Sequence, residues 1–138
     1  VSLIRYRCSL RKNFQDFQLE NYIRSHYQLE NGQVAYCILS KQAYEQFHLS
    51  FNEAKEKVYA LGGVSEFRTW ALFVENGRDA SGNPLYNGSL RSRDIFINDI
   101  ATNFGGGGHR RACGVKQLSM ENIEQIIHMM AEKCKKEE

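Results

Sequence analysis

Proline and tryptophan each occur once in the 138 residues, and no stretch reads as a proline-rich linker or a low-complexity tract. No apolar run approaches the roughly 18 residues that a membrane-spanning helix needs, and no signal-peptide pattern opens the chain. Neither sign of charge dominates: 18 Lys and Arg stand against 16 Asp and Glu, a net charge of +2. That total is too small to indicate nucleic-acid binding by itself. Cysteine is sparse and scattered. Cys8, Cys37, Cys113 and Cys134 form no C-x-x-C pair, which removes the usual zinc spacing and fits a reduced, cytoplasmic setting. His26, His48, His109 and His128 include no H-x-x-x-H pair, so no self-contained metal centre is expected.

What is present suits one globular domain. Hydrophobic residues make up 42% and charged residues 25%, and a chain of this size buries roughly two-thirds of its unfolded surface. It begins at Val1 rather than methionine, and the expectation is a domain taken from a longer protein.

Leu10, Phe14 and Phe17 repeat at helical spacing, which predicts a helix over Leu10–His26. Asn31-Gly32 turns the chain into Val34–Leu39, a short apolar run suited to a strand covered on both faces. Ser50 caps a helix reaching about Leu61, with Glu53 at the capping-box position and Gly62-Gly63 as its stop. Thr69–Glu75 and Leu85–Ser92 read as a hairpin around a turn at residues 76–84. A short helix over Ile97–Phe104 follows, then a glycine run and a strand near Val115–Leu118. The last helix is the plainest: Ser119 caps it, and Ile123, Ile126, Ile127, Met130, Ala131 and Cys134 form one apolar stripe. Strands interleaved with helices predict an α/β fold with a small mixed sheet flanked by helices.

Chemistry concentrates between Ser89 and Lys116. Arg91, Arg93, Arg110, Arg111 and Lys116 meet only Asp94 and Asp99 there, five cations against two anions, so the window is locally +3. Gly105, Gly106, Gly107 and Gly108 precede His109 and Arg110. Four glycines in a row cost about 0.5–1 kcal/mol each relative to alanine in an ordered chain. The run therefore suggests close approach by another molecule or several backbone positions with positive φ. A helix beginning near His109 would add free N–H groups for an anion. Arg91 and Arg93, two apart on a strand, would point the same way. The plain alternatives are a solvated connection for the glycines and a charged, aggregation-resistant edge for the arginines. Two known glycine motifs fail: no Lys-Ser/Thr pair follows the run as a Walker A loop requires, and G-x-G-x-x-G ends on arginine in either frame.

The segment Ser89-Leu90-Arg91-Ser92-Arg93, the helix after it, and Gly105–His109 with Ala112 and Gly114 closely resemble the C-terminal DHH-associated domain of DHH-family phosphoesterases. Within that superfamily the likeness is to the NrnA type, bifunctional enzymes that act as oligoribonuclease and 3′-phosphoadenosine-5′-phosphate phosphatase. Alanine is usual in the family where Cys113 stands. The resemblance implies that residues 34–138 form a substrate-binding domain and that residues 1–33 are a connector to an N-terminal DHH domain. It implies further that the DHH domain holds two Mn²⁺ ions and activates water, while this part binds no cofactor. Arg91, with Arg93, would hold a phosphate, and Gly105–His109 with Arg110 would line the substrate cleft. The implied partners are short single-stranded RNA or DNA, 3′-phosphoadenosine-5′-phosphate and the linked DHH domain. Two other readings stand beside this one: a non-catalytic RNA-binding module like that appended to alanyl-tRNA synthetases, and a homodimer formed through residues 1–33.

Overall fold

Asn13 accepts a hydrogen bond from the Asp16 N–H at 2.9 Å and so caps α1 (Phe14–Ser25). The computed structural model describes residues 13–136. After α1 come β1 (Gln28–Glu30), β2 (Val34–Leu39), α2 (Lys41–Glu45), α3 (Phe51–Lys55) and a 3-10 segment (Glu56–Leu61). The second half holds β3 (Thr69–Arg78), β4 (Pro84–Ser92), α4 (Asn98–Asn103), β5 (Gly107–Gly108), β6 (Ala112–Leu118) and α5 (Met120–Lys136). The strands form one sheet in the order β1-β2-β3-β4-β6-β5. Among the described strands, β2 and β3 alone run parallel, as a strand–helix–strand crossover requires. The fold is mixed α/β. No helix among the described residues is long and apolar enough to cross a membrane.

Local chemistry explains most boundaries. Ser50 and Glu53 complete their capping box, but the helix they start tightens into 3-10 geometry at Glu56. Ser119 and Asn122 exchange the same pair of bonds at the start of α5, at 3.0 and 3.1 Å. Asp79 closes the β3–β4 hairpin, its Oδ1 accepting from the N–H groups of Ser81 and Asn83 at 2.9 Å each. Because that turn is so tight, Asn76 and Gly77 belong to β3 rather than to the loop, with a register shift between Glu75 and Arg78.

The sheet separates two cores. On one face Ala71, Phe73, Leu90, Cys113 and Val115 meet the whole predicted stripe of α5 together with Ile97 and Ile100. On the other, Leu72 and Val74 of β3 and Cys37 and Leu39 of β2 lie under Leu19 and Ile23 of α1, Ala43 and Tyr44 of α2, Ala54 of α3 and the 3-10 segment. The face that α1 buries is Leu19, Glu20 and Ile23. Phe14 and Phe17, two of the positions whose spacing predicts this helix, are exposed and stack on each other with centroids 6.4 Å apart; Leu10 lies outside the described residues. Polar contacts decide the orientation: Lys57 pairs with Asp16 at 2.9 Å and the Tyr59 hydroxyl donates to the buried Glu20 at 2.8 Å. Burial, helped by that bond, pushes the Tyr59 hydroxyl up to about 12. Residues 14–30 thus give the sheet a covering helix and an edge strand.

Candidate functional site

Pleating sorts the residues of β4 onto two sides. Leu90 and Ser92 face α5 and are buried, whereas Ser89 and Arg91 face away and are only half-buried. Register extends this outward side across the sheet: Ser89 opposes Gly114, Arg91 opposes Ala112, and Gly107 opposes Gly114 from β5. Lys116 shares the side by alternation and is exposed. The helices that cover β2 and β3 on this side do not bury β6. The result is an open shelf of small and polar residues with one arginine standing on it.

Arg91 is set in place by the chain's own carbonyls. Its Nη1 donates to Leu90 O at 2.9 Å and to Cys113 O at 3.3 Å, and among the described residues no carboxylate pairs with it. Burial pushes the Cys113 thiol up, and the nearby Arg91 charge works against that shift. A guanidinium tethered at one nitrogen and unmatched in charge keeps its other donors for an anion.

The glycine run divides sharply. Gly105 takes φ +79° just past α4, where its N–H returns to Thr102 O at 3.1 Å. Gly106 abuts β6 so closely that a Cβ would strike the Gly114 carbonyl. Gly108 combines φ +138° with a Cβ position 2.6 Å from Ala112 O. These three are required by the fold. Gly107 is not: its φ is ordinary and a Cβ there would meet nothing within 4 Å. Gly114 opposite is equally free, its nearest contact an ordinary 3.7 Å.

Other predicted residues sit elsewhere. No helix starts near His109; Gly107-Gly108 pairs with β6, and the His109 N–H closes the following turn onto Ala112 O at 2.8 Å. The close approach of Gly106 and Gly108 to β6 favours that ladder over a helix. Strand β6 accordingly begins at Ala112, earlier than the sequence suggests. Arg93 does not join Arg91, because β4 ends at Ser92, whose Oγ accepts from Ile95 N–H at 2.7 Å and bends the chain away. Its guanidinium instead donates to Ser65 O at 2.6 Å. Arg110 lies over the Phe96 ring at 5.1 Å. Ser89 and Gly114 belong to the shelf, and the signal available for both was alternation along strands whose register only the structure fixes. No three His, Cys, Asp or Glu side chains gather to hold a metal among the described residues.

The profile of the DHHA1 domain matches residues 31–136. The chain belongs to the DHHA1 domain family. Three bacterial relatives of this DHHA1 domain are bifunctional oligoribonucleases and PAP phosphatases of the NrnA type. The protein from Mycoplasma genitalium is 28% identical over 112 residues, 81% of this chain and 33% of the relative. One from Streptococcus mutans, named as probable, is 31% identical over 109 residues, 79% and 34% of the two chains. The Bacillus subtilis protein is 28% identical over 121 residues, 88% and 37% of the two. The DHHA1 chain thus spans about a third of the length of the curated relatives it matches. An exopolyphosphatase-related protein from Bacteroides fragilis shares the fold with TM-score 0.68 at 20% identity, over 86% of this chain and 36% of its own. A pGpG-specific phosphodiesterase from Vibrio cholerae does so with TM-score 0.51 at 14% identity, over 84% and 37%.

Proposed function

We propose that this DHHA1 domain holds the substrate for a DHH-family phosphoesterase that hydrolyses very short oligonucleotides and 3′-phosphoadenosine-5′-phosphate. The observation behind the reading is the pair Gly107–Gly114: two facing glycines that the fold does not need, on the open shelf beside an arginine that no carboxylate among the described residues pairs with. A missing Cβ that no neighbour demands is explained by a molecule lying flat against the main chain. Arg91 fixes one phosphate through its remaining donors, and the shelf receives the attached sugar or base. In this reading Mn²⁺ ions held by a DHH domain of the longer protein supply the activated water. In this division of labour the DHHA1 domain's share is to bind the substrate and to orient it.

Amide NMR of the chain at low salt, titrated with a 5′-phosphorylated dinucleotide, tests the reading. Shifts at Gly107, Gly114 and Arg91 are expected, with Arg91→Ala weakening binding about tenfold or more through the loss of charge-assisted bonds. Titration that leaves those three amides still would refute it. Turnover by this chain with added Mn²⁺, after removal of contaminating nucleases, would overturn the division of labour.

A further inference from the structure

The β5–β6 turn, His109–Arg111, lies against the segment that joins β4 to α4: Ser92 N–H donates to Arg111 O at 2.9 Å and Ile97 N–H to Arg110 O at 2.8 Å. Between two buried isoleucines, Ile95 and Ile97, that segment turns Phe96 outward, and the residue is 47% exposed. One exposed phenylalanine is ordinary. Here, however, the Arg110 guanidinium covers the ring at 5.1 Å, and Phe96, His109, Arg110 and Arg111 together line a concavity of about 380 Å³.

The charges at this corner are unbalanced in an informative way. Arg68 and Lys133 nearby are each matched, to Asp94 at 3.5 Å and to Asp99 at 2.6 Å. Arg110 and Arg111 form no ion pair among the described residues. Two unmatched planar cations around a half-open aromatic ring, with an exposed imidazole beside them, make a surface that attracts phosphate and stacks on a flat π system. Arg91 opposes Ala112 in the ladder, and the turn ends one residue earlier. A strand leaving Arg91 would reach the corner after two or three residues of sheet rise, about 7–10 Å.

We infer that Phe96 and Arg110 form a stacking subsite for a nucleobase of a single-stranded oligonucleotide whose first phosphate is held at Arg91, an inference that rests on the function proposed above. Single strands fit because a duplex keeps the faces of its bases stacked on one another. The subsite favours ligands of two or more nucleotides over a mononucleotide.

Affinities of the 138-residue chain for three probes decide it: a 5′-phosphorylated mononucleotide, the matching trinucleotide, and that trinucleotide lacking its second and third bases. The intact trinucleotide should bind roughly 5- to 150-fold more tightly than the mononucleotide, and the abasic strand should lose most of that gain. Phe96→Ala and Phe96→Leu, the second keeping an apolar side chain without a π face, should both bring the trinucleotide-to-mononucleotide ratio towards one. A ratio unchanged in both variants, while the Gly107 and Gly114 amides still respond, overturns the subsite and leaves the shelf intact. No response of those amides to any probe overturns both. A glutamate pentapeptide binding as tightly as the trinucleotide would make the corner a charge site for acidic peptides and end the proposal.

Discussion

Leu72 and Ser89 are direct partners across β3 and β4 and project to the same side of one sheet. Leu72 is fully buried under the helices of the first half, while Ser89 stands at the margin of the open shelf. Backbone geometry is the same on both sides of this line. The difference lies in what the β2-to-β3 crossover covers: α2, α3 and the 3-10 segment pack over β2 and β3, and later elements pack on the opposite face. A half-covered face therefore gives a buried core and an open surface from one layer of strands, and the residues on each half follow suit. Large aliphatic side chains stand where helices press down; serine, glycine, alanine and arginine stand where nothing does.

The comparison is easiest to break at Leu72. Leu72→Ala should cost about 2–5 kcal/mol, whereas Ser89→Ala should change stability by no more than about 0.5 kcal/mol; thermal or urea denaturation of both variants decides it. Inside the glycine run the same contrast appears at adjacent positions. Gly106→Ala should destabilise by about 1–3 kcal/mol, because its Cβ meets β6 backbone that cannot yield. Gly107→Ala should stay within about 0.5 kcal/mol of the parent yet weaken dinucleotide binding. A large stability loss at Gly107 would show that the fold, not a ligand, fixes that residue.

A further effect is one of pH. Burial pushes the Cys37 thiol from its ordinary 9.0 up to about 12. The unfolded chain then loses this proton before the folded one does, so the contribution is complete below pH 9 and fades as pH climbs from 9 towards 12. By pH 10 the loss is on the order of 1 kcal/mol, and Cys37→Ala should flatten that part of the stability curve.

Elements with strong local chemistry were legible in the sequence. The Ser50 and Ser119 caps, the α5 stripe, the buried run of β2 and the hairpin all stand where side chains alone require them. Elements that exist through pairing were not. Gln28-Leu29-Glu30 has no strand signal and is a strand because β2 offers an edge, and two glycines form β5 only because β6 lies alongside. The site was half legible for the same reason. Arg91 and the glycine run stood out by composition, while Ser89, Gly114 and Phe96 acquire meaning from register and from a turn folding back. Arg93 was grouped with Arg91 by spacing, and spacing could not show that Ser92 ends the strand.

The carboxylate of Asp79, at the far end of the hairpin from Arg91, has a consequence for fidelity. Side chains alternate along a strand, so a slip of one residue between β3 and β4 would turn Arg91 into the α5 core and Leu90 out to solvent. What forbids the slip nearest the turn is a pair of hydrogen bonds on one aspartate oxygen. The address of Arg91 is thus written partly in a turn that no ligand at Arg91 would touch, and on the proposed function errors there would surface as lost binding with every shelf residue still in the sequence.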